Sequence, residues 1–264
     1  MTAAWVALGA ALGAALIAAL VLAAVLVRAR QRVGKLERAR TRAGEDLERL
    51  ERAFGRFAPE DVVEKLGQGA KEIAPERREV TVMFADLVGF TPLSERVDPA
   101  ELVPVLNDYF RRMSRTIRDH HGHVSRIMGD GLMALFGALV PNTWQSADAA
   151  RAALAMRAAL EELNAEIERK GLPALRFGVG LNRGEVVAAV VGSDQLMEFT
   201  VLGDAVNMAA RVEALTRTHA VDILVTEAVR ARLDERFELR ELPPAEVKGK
   251  IEPVRTWAVV SFRE

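Results

Sequence analysis

Val80–Thr91 reads VTVMFADLVGFT, and a second stretch, Arg126–Gly137, reads RIMGDGLMALFG. In the first, an apolar run rich in β-formers stops at Asp86, and Leu87, Val88 and Gly89 lead on towards a helix. A carboxylate is thereby set at a strand end, beside backbone N–H groups of a helix start that have no carbonyl ahead of them. In the second, a strand HVSRIM turns at Gly129, Asp130 and Gly131 and returns as LMALFG, a tight hairpin with a carboxylate at its tip. If the hairpin lies beside the first strand, Asp86 and Asp130 converge. Acidic oxygens next to backbone donors suit two Mg²⁺ or Mn²⁺ ions on a triphosphate.

Outward from these stretches, the pattern alternates. A strand near Glu79–Asp86 is followed by a helix that opens at Asp98 and Pro99 and runs to about His120, then by the hairpin. An Ala-rich helix spans about Trp144 to Lys170. Beyond it come strands RFGVGLN and EVVAAVVG, a short strand near Phe199, a helix from about Ala205 to Thr216, strand DILVT, and late strands near Phe237 and Trp257. Helices alternating with paired strands predict an α+β fold, with helices on one face of a mixed sheet. Tyr109, Trp144 and Trp257 read as packing residues, and His120, His121, His123 and His219 lack metal spacing.

The 264 residues are half apolar, enough for one sizeable core and an extra segment. A net charge of −1 argues against a nucleic-acid partner, and the absence of Cys excludes disulfides and thiolate metal sites. Thr2–Val27 carries no charge and is long enough to cross a ~30 Å hydrocarbon layer as a helix. A cleaved signal peptide is the rival reading, but no basic segment precedes the run. Arg28, Arg30, Arg32 and Lys35 follow it, so the positive-inside rule puts the rest in the cytoplasm. Gly9 and Gly13 either pair two such helices or merely reflect an Ala/Gly-rich span. Val33, Leu36, Ala43, Leu47, Leu50, Phe54 and Phe57 fall on three- and four-residue steps. They predict a parallel coiled coil, with a solvated helix as the alternative. Pro59 ends it, and a short amphipathic linker helix follows. The expected domains are a transmembrane anchor at 1–28, coiled coil and linker helices at 29–76, and a catalytic domain at 77–264.

FADLVGFT, GDGLMALFG, TVLGDAVNMAAR (Thr200–Arg211) and EVKGK (Glu246–Lys250) stand in the order and spacing of the class III nucleotide cyclases. The chain resembles that family from roughly Arg77 to Val260. The resemblance implies a ferredoxin-like βαββαβ core and conversion of ATP to 3′,5′-cyclic AMP and pyrophosphate. It implies two Mg²⁺ or Mn²⁺ ions per site on Asp86, Asp130 and the Leu87 backbone, with phosphates cradled by the backbone of Leu87, Val88, Gly89, Phe90 and Thr91. Asn207 and Arg211, four apart and so on one helix face, are implied to orient the ribose and stabilise charge at phosphorus. Lys248 matches the triphosphate lysine, with Lys250 a close rival.

Arg126 stands where adenylate-forming members carry a Lys that meets the base, and Thr200 matches a subgroup with Thr at the partner position. The acidic residue and Cys of guanylate-forming members are absent, so ATP is expected. The alternatives are a guanylate or mixed-specificity cyclase and a catalytically weak nucleotide-binding signalling module. The family builds each site from two subunits, which implies a homodimer with two interfacial sites. The expected protein is single-pass in the cell membrane, with its catalytic domain in the cytoplasm.

Overall fold

In a computed structural model, residues 75–193, 196–250 and 252–263 are described. The segments read as anchor, coiled coil and linker helix, Gly9 and Gly13 included, lie outside them. Among the described residues no helix is long and apolar enough to cross a membrane.

Strand β1 (Glu76–Leu87) opens the domain and is central to it. Val80, Val82, Met83 and Ala85 are buried, as β-branched and apolar side chains on a strand covered on both faces should be. Gly89 then takes a left-handed turn, φ 74°, into the short helix α1 (Phe90–Ser94). Helix α2 (Pro99–Asp119) begins where the sequence signals it: the Asp98 side chain accepts the Ala100 N–H at 2.8 Å, and Pro99 occupies the first turn. Its stripe of Leu102, Val105, Tyr109, Met113 and Ile117 is buried. Strands β2 (Gly122–Met128) and β3 (Gly131–Phe136) form the hairpin. Helix α3 (Gln145–Glu168) buries Ala149, Ala150, Ala152 and Ala153, whose small side chains let it lie close to its neighbours.

Next come β4 (Phe177–Ser193), β5 (Leu196–Leu202), α4 (Asp204–His219), β6 (Ile223–Thr226), α5 (Glu227–Arg230), β7 (Phe237–Glu241) and β8 (Thr256–Phe262). The sheet runs β2-β3-β1-β4-β6-β8-β7, with β5 paired to the far half of β4. Each neighbouring pair among its first four strands is antiparallel, and with α2 and α3 they make the expected βαββαβ unit. The pairing of β4 with β6 is parallel, so the sheet is mixed.

Two expectations need correction. RFGVGLN and EVVAAVVG are not separate strands, because β4 continues through Arg183 and Gly184 against the whole of β1, from Glu76↔Ala188 to Leu87↔Phe177. Arg183 donates to Glu79 across that ladder at 2.8 Å, which holds in register a segment whose sequence suggests a turn. Nor are the helices on one face. α2 and α3 bury the side holding Phe177, Val179 and Leu181, while α4 covers the side of Gly178, Gly180 and Gly184. Met208 and Val212 of α4 form a separate small core with Leu224 and Ala258.

Candidate active site

Asp86 lies at the C-terminal end of β1, opposite Gly178 of β4. The β1–β3 register ends at Ala85↔Leu132, which brings the hairpin turn alongside Asp86. A Cβ on Gly131 would stand 2.7 Å from Asp86 Oδ1 and 3.2 Å from the Ala85 carbonyl. Glycine is required there for close approach and not for an unusual φ. Gly129, at φ 63°, makes the turn itself. Asp130 at the tip is half-buried. Burial raises its carboxyl above the usual range, and the charge of Asp86 raises it further. The structure thus brings the two expected carboxylates together.

The backbone after Asp86 is only partly available. The Val88 N–H is donated to the Arg176 carbonyl at 2.7 Å, so Val88 departs from the expected phosphate cradle. Gly89, Phe90 and Thr91 open α1, where first-turn N–H groups have no intrahelical partner.

The remaining candidates lie elsewhere. Thr200 is buried on β5 opposite Ala189, eleven positions along β4 from the partner of Asp86. At ~3.3 Å per residue that is roughly 36 Å of strand, longer than an extended nucleoside triphosphate. Asn207 is exposed and Arg211 half-buried on α4. A Cβ on Gly249 would meet the Arg211 guanidinium at 3.3 Å, so the Lys248–Lys250 loop adjoins Arg211. Lys250 is ion-paired with Asp204 at 2.7 Å, whereas Lys248 is exposed. Arg126 is exposed on β2. Among the described residues no hydrogen bond or ion pair joins Asp86 or Asp130 to Asn207 or Arg211.

The adenylate and guanylate cyclase catalytic domain matches residues 73–261. The chain belongs to this family. It is 36% identical over 218 residues to an adenylate cyclase of Anabaena cylindrica, covering 78% of this chain and 42% of that one. Adenylate cyclase 1 of Rhizobium meliloti is 32% identical over 209 residues, covering 78% of this chain and 31% of its own length. The chain therefore spans less than half of these curated relatives. The crystal structure of a guanylyl cyclase matches with a TM-score of 0.66 at 33% identity, over 73% of this chain and 96% of that one.

In this cyclase domain the carboxylate pair has company that the sequence reading missed. Arg217 donates from Nη2 to Asp86 Oδ2 at 2.7 Å, and its Nη1 lies 3.3 Å from Glu213 Oε2 and 3.2 Å from Oε1. Glu213 is buried, and burial pushes its carboxyl up to about 7. Arg217 opposes that rise, while Asp86 and Asp130 add to it. Tyr109, fully buried beneath, is raised by burial and by the same acidic groups, and its hydroxyl has no partner among the described residues. In sequence, Glu213 and Arg217 look like an ordinary i,i+4 surface pair. Only the glycines at 178 and 180, which admit α4 onto β4, show that Glu213 is buried. Trp257 is buried as expected, but Trp144 is exposed just ahead of α3.

The site fits divalent cations that share their coordination with a bound nucleotide. Among the described residues no three His, Cys, Asp or Glu side chains cluster as a ready-made metal cage. Two converging carboxylates with Gly131 between them do fit Mg²⁺ or Mn²⁺, which take one or two protein carboxylates and complete their shell with substrate phosphates.

Proposed function

We propose that the domain is an adenylate cyclase that converts ATP to 3′,5′-cyclic AMP and pyrophosphate at two equivalent sites between two copies of the chain. The observation that carries this reading is the placement of Asp86, Gly131 and Asp130 at one end of β4 and of Thr200 towards the other. One nucleotide cannot reach both within one protomer, so a second copy must supply the missing half.

In this reading Asp86, Asp130 and the Leu87 carbonyl hold two Mg²⁺ or Mn²⁺ ions. Bound there, the ions supply Lewis-acid chemistry that acidifies the attacking hydroxyl and neutralises phosphate charge. The N–H groups of Gly89, Phe90 and Thr91 hold phosphate oxygens. From the second copy, Thr200 and Arg126 receive the base, Asn207 orients the ribose, and Lys248, which among the described residues has no ion pair such as that of Lys250, meets the triphosphate. Arg211 places its planar fork on the phosphate at which charge develops. The ribose 3′-oxygen bonds to the α-phosphorus, the bond to the bridging oxygen of the β-phosphate breaks, pyrophosphate departs, and the hydroxyl proton passes to solvent.

Thr200 favours ATP, because a buried hydroxyl can accept from the adenine amino group and no acidic side chain is offered at that position. The 33% identity to a guanylyl cyclase keeps GTP as the second reading. The uncharged run Thr2–Val27 and the basic residues after it support a single-pass anchor with the catalytic domain in the cytoplasm, and the heptad pattern supports parallel pairing of two chains.

The test is product formation from ATP or GTP with Mg²⁺ or Mn²⁺, beside Asp86→Ala and Arg211→Ala variants. Each variant alone should keep about 1% of parental activity or less. Random mixing should restore about a quarter of parental activity, since half the dimers are mixed and each carries one intact site of two. Failure to restore activity in a mixture proven dimeric would overturn the shared site. Cyclic GMP as the main product would overturn the choice of ATP.

A further inference from the structure

Arg217 has no part in the reaction just described, yet it donates at 2.7 Å to Asp86, a carboxylate assigned to the cations. A guanidinium and a divalent ion on one carboxylate repel strongly in a half-buried site. The geometry offers the guanidinium a second seat. Its other terminal nitrogen is already 3.2–3.3 Å from both oxygens of Glu213, one helical turn back on α4. Glu213 Oε1 is buried and has no hydrogen-bond partner among the described residues. There is room to move as well, since Arg217 forms part of the wall of a cavity of about 730 Å³ that also includes Val88, Arg176 and Thr216.

We infer that Arg217 is an internal competitor for Asp86, displaced onto Glu213 when a divalent cation binds, and that Arg217 and Glu213 together set the affinity of the cation site. Arg217 and Glu213 are positioning residues, acting through Asp86 without touching substrate. Glu213 is buried so that its carboxylate stays close to the guanidinium and exchanges little with water. The i,i+4 spacing keeps the pair together whichever carboxylate the guanidinium faces. This inference rests on the assignment of Asp86 to the cations.

The test is titration of the full chain at pH 8 with Mn²⁺ and no nucleotide, following free ion by electron paramagnetic resonance, for the parent, Arg217→Met, Glu213→Gln and Asp86→Asn. Circular dichroism establishes that each variant is folded. Arg217→Met should bind Mn²⁺ about tenfold more tightly, because the competitor is gone and the aliphatic stem is kept. Glu213→Gln should bind severalfold more weakly, because the guanidinium loses its charged second seat and stays on Asp86. Opposite shifts from two neighbouring substitutions are not what a merely structural pair would give. An Arg217→Met variant that binds Mn²⁺ no better than the parent, while Asp86→Asn abolishes binding, overturns the inference and leaves the cation site standing. Binding insensitive to Asp86→Asn overturns the assignment of Asp86 and the inference with it.

Discussion

Replacing Glu213 by Gln keeps the shape of a buried side chain and removes the charge that burial disfavours. Its carboxyl titrates at about 7 in the fold against a reference value of 4.5. Between those values the folded state holds a proton that the unfolded chain has lost. Stability therefore falls as pH rises through the window, and the whole cost is present above it. At 1.36 kcal/mol per unit, the cost is about 3 kcal/mol. The neutral amide escapes it, and Arg217 keeps its bond to Asp86. Urea unfolding in EDTA should find the two proteins alike near pH 4. The Gln variant should be more stable by up to about 3 kcal/mol at pH 8, with the gap opening between roughly pH 4.5 and 7. A variant less stable than the parent at pH 8 would refute the reasoning, since the ion pair with Arg217 would then outweigh the burial cost.

The other predictions are more local. Gly131→Ala, whose Cβ would stand 2.7 Å from Asp86 Oδ1, should fold with a loss of about 1–3 kcal/mol in thermal melts, yet lose more than tenfold in cyclase rate. Gly180→Ala would set a Cβ 2.1 Å from the Glu213 backbone N and 2.6 Å from the Ala209 carbonyl. It should destabilise at or beyond the upper end of that ~1–3 kcal/mol range, detected as loss of soluble protein or a large drop in melting temperature. Arg211→Ala should lower kcat about 10²–10³-fold with the fold intact, the usual loss for one donor to developing charge. Lys248→Ala should raise KM for the nucleotide, whereas Lys250→Ala, which breaks only an exposed ion pair with Asp204, should change kinetics and stability little.

Much of the site was legible because its chemistry sits at boundaries that sequence marks clearly. The apolar run ending on Asp86, the Gly129–Gly131 turn and the Asp98–Pro99 helix start each carry a local signal, and each is where it was expected. Asn207 and Arg211 share a helix as their spacing requires. Long-range contacts carried no such signal. Arg183–Gly184 resembles a turn by composition, and only pairing with β1 keeps it extended. The alternate glycines of β4 are informative only once α4 is known to lie on them. Glu213 and Arg217 have the spacing of a solvated pair, and the burial of Glu213 is a property of the assembled sheet. Trp144 shows the converse, a large apolar side chain that the fold leaves in water.

The domain enters through its own middle. β1 is the first described strand, is hydrogen-bonded to β3 on one side and β4 on the other, and carries Asp86 one residue before its end. Near the entry, Arg78 donates to the Ala138 and Leu139 carbonyls and ties the strand to the loop after β3. A pull or twist applied at Pro75 would load the rungs of both ladders together, in shear, with no hinge or loop before Asp86. Such a strand is a rod clamped along both edges: a displacement forced on its outer end must shear its ladders before it can shift Asp86.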